Sequence, residues 1–279
     1  MWLPLSNVIV RLAQKSIPLS EKEKQDQANM LTMLDENLLA TPGLAIEQAD
    51  RAVTLLSQTV GDAFRATVAL RNDPEQLGQA QLLIERSHRY QEQIDNYLVQ
   101  ISSHDIGEKE RAKVTLLAAG STEFGRMGRV AERILGMQRD FAGSEEQLTE
   151  EDRREIILIS GAISEVMQLT FNGFTARIPN VSRTIRYYTE EVMALGDIVK
   201  KRFIQRVHSD GRQRTAGSQF TNICYAEEQL IDCCDMISEA LIRYDRETGD
   251  HQQINSVSDE ELRNQVHEFF RDKFEQLER

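Results

Sequence analysis

Apolar residues recur along this chain every three or four positions, in long stretches separated by short polar breaks. That spacing predicts helices, each with one apolar stripe. The first begins at Thr41-Pro42, a capping side chain followed by proline at the first helical position. It carries Ala45, Ala49, Ala52, Val53, Leu56, Val60, Ala63 and Phe64 on one face. Asp73-Pro74 repeats the start signal, and the second helix carries Leu77, Leu83, Ile84, Ile94, Leu98 and Ile101. After a turn at Asp105-Ile106-Gly107, a third carries Val114, Leu117, Phe124, Met127, Ala131 and Ile134.

Residues 141–146 read as a linker. The acidic run Thr149-Glu150-Glu151-Asp152 then opens a fourth helix. Its stripe is Ile156, Ile159, Ile163, Val166 and Thr170, with Asn172-Gly173 and Pro179 expected to interrupt it. The fifth runs through Val181, Ile185, Tyr188, Val192 and Leu195 and closes at residues 208–211. The sixth has the cleanest seam, Phe220, Ile223, Leu230, Cys234, Ile237, Leu241 and Tyr244, with a single gap at Glu227. A capping box at Ser258–Glu261 starts a last helix that buries Leu262, Val266, Phe269 and Leu277.

No stretch alternates as a strand would, so the fold class is all-α. Tyr90-Gln-Glu-Gln-Ile94 resembles Tyr188-Thr-Glu-Glu-Val192, 98 positions later, which marks the two helix triplets as a repeat. Long helices with short connections form antiparallel bundles. The expected architecture is two tandem three-helix bundles placed end to end, residues 41–140 and 148–247. An N-terminal stub and linker (1–40) and a C-terminal amphipathic helix (258–279) are added to them.

Composition narrows the function. A formal charge of −12 disfavours a nucleic-acid binder, which needs a basic stripe to neutralise phosphates. The three cysteines, Cys224, Cys233 and Cys234, form no CxxC pair and cannot staple a chain this long, which points to a reducing compartment. No run of roughly 20 apolar residues is present; the longest interior run, Ile156–Ile163, is broken at once by Glu165. Residues 1–10 are apolar and are followed by Arg11 and Lys15. That segment reads as an ordinary amphipathic helix or as the cytoplasmic end of a membrane helix with positive-inside flanks.

Chemistry concentrates on two helices. Beside the seam of the sixth, Glu228, Asp232, Asp235 and Glu239 are spaced four, three and four and share one face. Such a stripe repels itself unless a cation lies near, and oxygen-rich clusters suit hard or borderline cations; the simpler reading is a solvated acidic face. On the third helix Arg126, Arg129 and Arg133 make a basic ridge able to accept an anion bidentately, or to pair with neighbouring glutamates. Gly125 and Gly128 sit inside that helix, where each costs about 1 kcal/mol against alanine, so they imply close packing or room for a ligand. The five histidines are scattered, nothing basic flanks Cys233, and no Walker A loop, dinucleotide fingerprint, GxSxG or nucleophile–base pair occurs. An enzyme is not expected, and no catalytic residue is assigned.

The stretch Glu228-Gln-Leu-Ile-Asp-Cys-Cys-Asp-Met-Ile-Ser-Glu-Ala240 resembles the PhoU signature E-R-I-x-D-H-x-x-N-I-A-E-A, and Arg126-Met-Gly-Arg-Val-Ala-Glu-Arg-Ile134 resembles its first-repeat form R-I-G-D-x-A-E-N-I. Met33–Ala49 is similar to Y-L-D-x-x-L-L-x-T-P-x-x-A-L-x-Q-A, which joins the last membrane helix to the PhoU-like region in bacterial Na/Pi-cotransporter family proteins. Phe203–Gly211 resembles that subgroup's H-I-x-R-L-x-x-G. The similarity covers roughly residues 30–247.

The resemblance implies a PhoU-like tandem of three-helix bundles at the cytoplasmic face of the inner membrane. It would modulate phosphate uptake by contact with a membrane phosphate transporter part, in the same chain or a separate one, and with a sensor kinase. On this reading residues 1–18 are a membrane-helix stub. Family members bind metal clusters through E-x-x-x-D motifs. Glu228 and Asp232 match that motif, whereas Gly125 and Arg129 occupy its first-repeat positions. Glu92 and Asp95 match the preceding E-x-x-D pattern; in the second repeat Glu190 remains, Met193 replaces the acid, and Cys233 stands where the family has histidine. One divalent or iron cation at the second repeat is the most this carry-over implies. Two other readings are a stand-alone metal-binding adaptor in phosphate signalling, and a ligand-free helical scaffold that dimerises through Phe269, Phe270 and Phe274.

Overall fold

A computed structural model describes residues 34–69, 76–142, 149–178, 180–210, 214–249 and 258–278. The membrane-stub segment 1–18, the Asp73-Pro74 start signal, Pro179 and residues 143–146 of the linker lie outside them. Within the described residues the chain is all-α. A short 3-10 helix (Glu36–Ala40) leads into α1 (Pro42–Ala69), followed by α2 (Gln76–Ser102), α3 (Glu108–Ala142), α4 (Glu150–Ala176), α5 (Val181–Asp210), α6 (Arg214–Thr248) and α7 (Asp259–Glu278).

The apolar stripes set the packing. All eight stripe residues of α1 and all six of α3 are buried, as are Ile156, Ile159, Ile163, Val166 and Thr170 of α4. On α2, Ile84, Ile94, Leu98 and Ile101 are buried and Leu77 and Leu83 half-buried. Helices α1, α2 and α3 each touch the other two, and so do α4, α5 and α6.

The end-to-end expectation is corrected: α3 lies against α6 and α1 against α4, so one hydrophobic cluster runs through both triplets. The join is aromatic. Phe124 of α3 meets Phe171 and Phe174 of α4 edge-on, both with ring centroids 5.2 Å apart. Phe174 fills the notch left by Gly120, where an added Cβ would lie 2.4 Å from its ring.

Three further expectations change. Helix α4 does not stop at Asn172-Gly173 but runs to Ala176, capped by Arg177 in the left-handed region (φ 49°) with its N–H on the Gly173 carbonyl. Gly173 instead lets α5 approach, since a Cβ there would sit 2.8 Å from both Val181 methyls. Phe269 is 50% exposed, and its neighbour Phe270 takes the buried place. Helix α3 extends through 141–142, into the predicted linker.

By length and composition α4 is long and apolar enough to cross a membrane, and 56% of its most apolar window is buried against the other helices. The expected start of α4 is a full capping box: Asp152 N–H donates to Thr149 Oγ1 and Thr149 N–H to Asp152. The Ser258 hydroxyl accepts from Glu261 N–H at the start of α7.

Candidate functional site

Two acids of the α6 stripe, Glu228 and Asp235, are already engaged. Glu228 is held by Lys200 of α5, which also meets Asp197 at 2.8 Å. Burial works against the Lys200 charge, yet Asp197 and Glu228 hold its ammonium above the ordinary lysine range. A cation at Glu228 must therefore displace Lys200. Asp232 is exposed. Asp235 accepts a hydrogen bond from Thr189 of α5 at 2.8 Å. Burial raises its pKa, with Asp232, Glu239 and Glu190 adding to the rise and the Thr189 bond opposing it.

A carboxyl raised in the folded state favours folding below its unfolded pKa and loses that contribution as pH climbs through the folded value. Asp235→Asn, whose amide oxygen can still accept from Thr189, is expected to raise the melting temperature at pH 7. Scanning calorimetry across pH checks this: the gain shrinks as pH falls toward about 4, the ordinary carboxylate range. A gain that grows on acidification contradicts the sign.

Glu92 and Asp95 belong to another helix. Glu92 is exposed on α2, and Asp95 takes the Ser121 hydroxyl of α3 at 2.6 Å. Among the described residues no group of three or more His, Cys, Asp or Glu side chains is placed to hold a metal ion. The carboxylates singled out by spacing on α6 and by the resemblance on α2 belong to two helix pairs and are not gathered into one shell.

The basic ridge of α3 is likewise divided. Arg126 meets Glu123 at 3.5 Å, and Arg129 donates to Gln91 of α2 at 2.8 Å. Arg133 donates to Gln229 of α6. The last two guanidinia serve different neighbours rather than a common anion. Gly125 and Gly128 make room for α2 side chains: a Cβ would come within 2.0 Å of the Gln91 amide and 2.7 Å of Ser87 Oγ, respectively. Both vicinal cysteines are buried. Burial pushes the Cys233 thiol up, with Glu123 adding and Arg126 opposing, and burial pushes Cys234 up to about 12. Neither is a thiolate at neutral pH, so neither is set up as a nucleophile.

Among the described residues the densest charge cluster lies between α4 and α5 and includes none of the expected metal or anion ligands. Arg206 of α5 joins Asp152 at 2.8 Å, Glu155 and Glu151. Arg202, one turn earlier, joins Glu155 at 2.7 Å and Glu151 at 3.2 Å. Asp152 and Glu155 are buried. A register argument finds these partners. Asp152 stands 24 positions before the end of α4 at Ala176 and Arg206 25 after the start of α5 at Val181, so an antiparallel α4–α5 hairpin brings them level.

A second hub joins three helices: Asp50 of α1 binds Lys113 of α3 and Arg177 at the end of α4, each at 2.9 Å. Beside it opens a cleft of about 420 Å³ lined by Glu47, Asp50, Arg51, Thr54 and Thr175. The gap in the α6 seam is a buried carboxylate, Glu227, hydrogen-bonded to Ser160 of α4.

Geometrically, then, the conspicuous polar residues hold helices to one another. No family model, curated protein or solved structure matches the chain.

Proposed function

We propose that this chain is a cytosolic PhoU-like regulatory module of a sodium-dependent phosphate transporter, acting through protein–protein contacts. The observation that carries the reading is the placement of its two signature-like stretches. Arg126–Ile134 lies on α3 and Glu228–Ala240 on α6, and these two helices pack together where the triplets join. Arg129, Arg133, Glu228 and Asp235 of these stretches are bonded to Gln91, Gln229, Lys200 and Thr189. That favours action by the outer helix surfaces over action by a bound reactant.

A module of this kind works by making different contacts with two states of its transporter. It shifts their populations only by the difference in contact free energy, about 1.4 kcal/mol for each factor of ten. The test is uptake of radiolabelled phosphate by cells with and without the chain, with uptake of an unrelated solute measured in parallel. Phosphate uptake is expected to change selectively, with the chain recovered in the membrane fraction. Unchanged phosphate uptake with the chain wholly in the soluble fraction overturns the reading.

A further inference from the structure

Helix α7 lies along the outside of the second triplet, touching α5 and, less extensively, α4. Its inward positions are Leu262, Val266, Phe270, Phe274 and Leu277, four, four, four and three residues apart. Val266, Phe270 and Leu277 are buried, and Leu262 and Phe274 are half-buried against the core. The floor is aromatic: Phe270 meets Tyr188 edge-on, centroids 5.1 Å apart, and Phe269 lies tilted on the same ring at 5.4 Å.

Charge is sorted across the seam. The rim supplies Glu165 from α4 and Glu190 and Glu191 from α5. The helix supplies Lys273 and Arg263, at 3.0 and 3.4 Å, and the His267 ring hydrogen-bonds Glu191 at 3.1 Å. Both ends are read as well. Arg183 and the Tyr187 hydroxyl take the first-turn carboxylate of Asp259, holding its pKa below the ordinary range, and Arg202 donates to the Leu277 carbonyl in the last turn. Arg183 and Arg202 both belong to α5, so α7 can dock in only one direction, parallel to it.

These are the parts of a helix-in-groove receptor: apolar anchors at helical spacing, complementary flanking charge and a fixed polarity. We propose that the α4–α5 groove is a docking site for an amphipathic partner helix with apolar residues four apart and basic residues beside them, and that α7 is its resident occupant within the chain. The partner displaces α7 rather than adding to it. The rim pairs are exposed or half-buried, hence individually weak and salt-screened, so the resident helix is held chiefly by its few apolar anchors. The inference stands on this geometry and holds whether or not the phosphate reading does.

The experiment uses the full chain and a fluorescent synthetic peptide of residues 258–279, followed by anisotropy. In the wild type the resident helix competes. In Phe270→Asp its central anchor is lost, and peptide affinity is expected to rise about tenfold or more, because a larger fraction of grooves stands open. Added salt weakens the binding, and a peptide that itself carries Phe270→Asp fails to bind. A Phe270→Asp chain with wild-type helicity and no gain in affinity overturns the proposal.

Amide exchange on the wild type decides the matter independently, should that variant not fold. Amides of α7 are expected to open before those of α4–α6. Their exchange only with global unfolding makes α7 a fixed part of the core and overturns the proposal. A wild-type dimer that the added peptide dissolves supports the receptor and identifies its partner as a second copy of this chain.

Discussion

Arg206→Ala is expected to cost about 3–5 kcal/mol of stability at neutral pH, the usual result of removing one partner from a buried ion pair. The guanidinium is surrounded by carboxylates: Nε donates to Asp152 at 3.0 Å and Nη1 to Glu155 at 3.0 Å. Burial disfavours its charge, yet Glu155 and Asp152 more than offset this and hold it above the ordinary arginine range. Without it, Asp152 and Glu155 stay buried, Glu155 beside Arg202 and Asp152 beside Thr149, and their charges repel. Protonation of the uncompensated carboxylates relieves that repulsion. The variant's deficit is therefore smallest at acidic pH and grows as pH rises and the carboxyls ionise. Urea denaturation of the variant and wild type at pH 5 and pH 8 measures the difference. Adding Glu155→Gln to Arg206→Ala recovers part of the loss, because one uncompensated charge is removed. A pH-independent deficit contradicts the electrostatic account and leaves only lost packing.

Phe124→Ala is the second large effect, at about 3–5 kcal/mol, the range for truncating a fully buried aromatic ring. Its consequence differs in kind from that of a ring within one triplet. Phe203 and Phe220, stacked with centroids 3.8 Å apart, both belong to the second triplet. Phe124 touches two rings of α4 from α3, so its loss opens a cavity at the join. Native-state amide exchange is expected to show faster opening in α1–α3 and α4–α6 alike. Acceleration confined to α1–α3 contradicts the shared core.

How much of this was legible in the sequence follows from what each signal measures. Periodicity reports which side of a helix is apolar, and it placed the stripes of α1, α3 and α4 residue by residue. It does not resolve two adjacent aromatics near the stripe edge: the spacing predicts Phe269, and the structure buries Phe270 edge-on against Tyr188. A glycine such as Gly173 signals a break, but a missing side chain serves equally to admit a neighbour, here Val181. Spacing put Glu228, Asp232 and Asp235 on one face of α6, but it carries no information about what a second helix brings to that face. Lys200 and Thr189 supply that, and they turn a candidate ligand shell into ties between α5 and α6. The Arg206 cluster was accessible by register alone, yet its acids were read only as the start of a helix.

The turn between α4 and α5 has a consequence for the tolerance of the chain to changes in length. Arg177 and Asn180 both occupy the left-handed region, at φ 49° and 59°, and Arg177 is pinned by Asp50 and lies over the Phe174 ring with its guanidinium carbon 4.4 Å from the centroid. One residue inserted or deleted here turns every later position of α5 by about 100° relative to α4, given 3.6 residues per turn. Arg202 and Arg206 would swing off their carboxylates, Lys200 off Glu228, and Tyr188 out of the α7 groove. The hairpin thus acts as a ruler, and the length of its turn is as binding a constraint as the identity of any side chain it brings level.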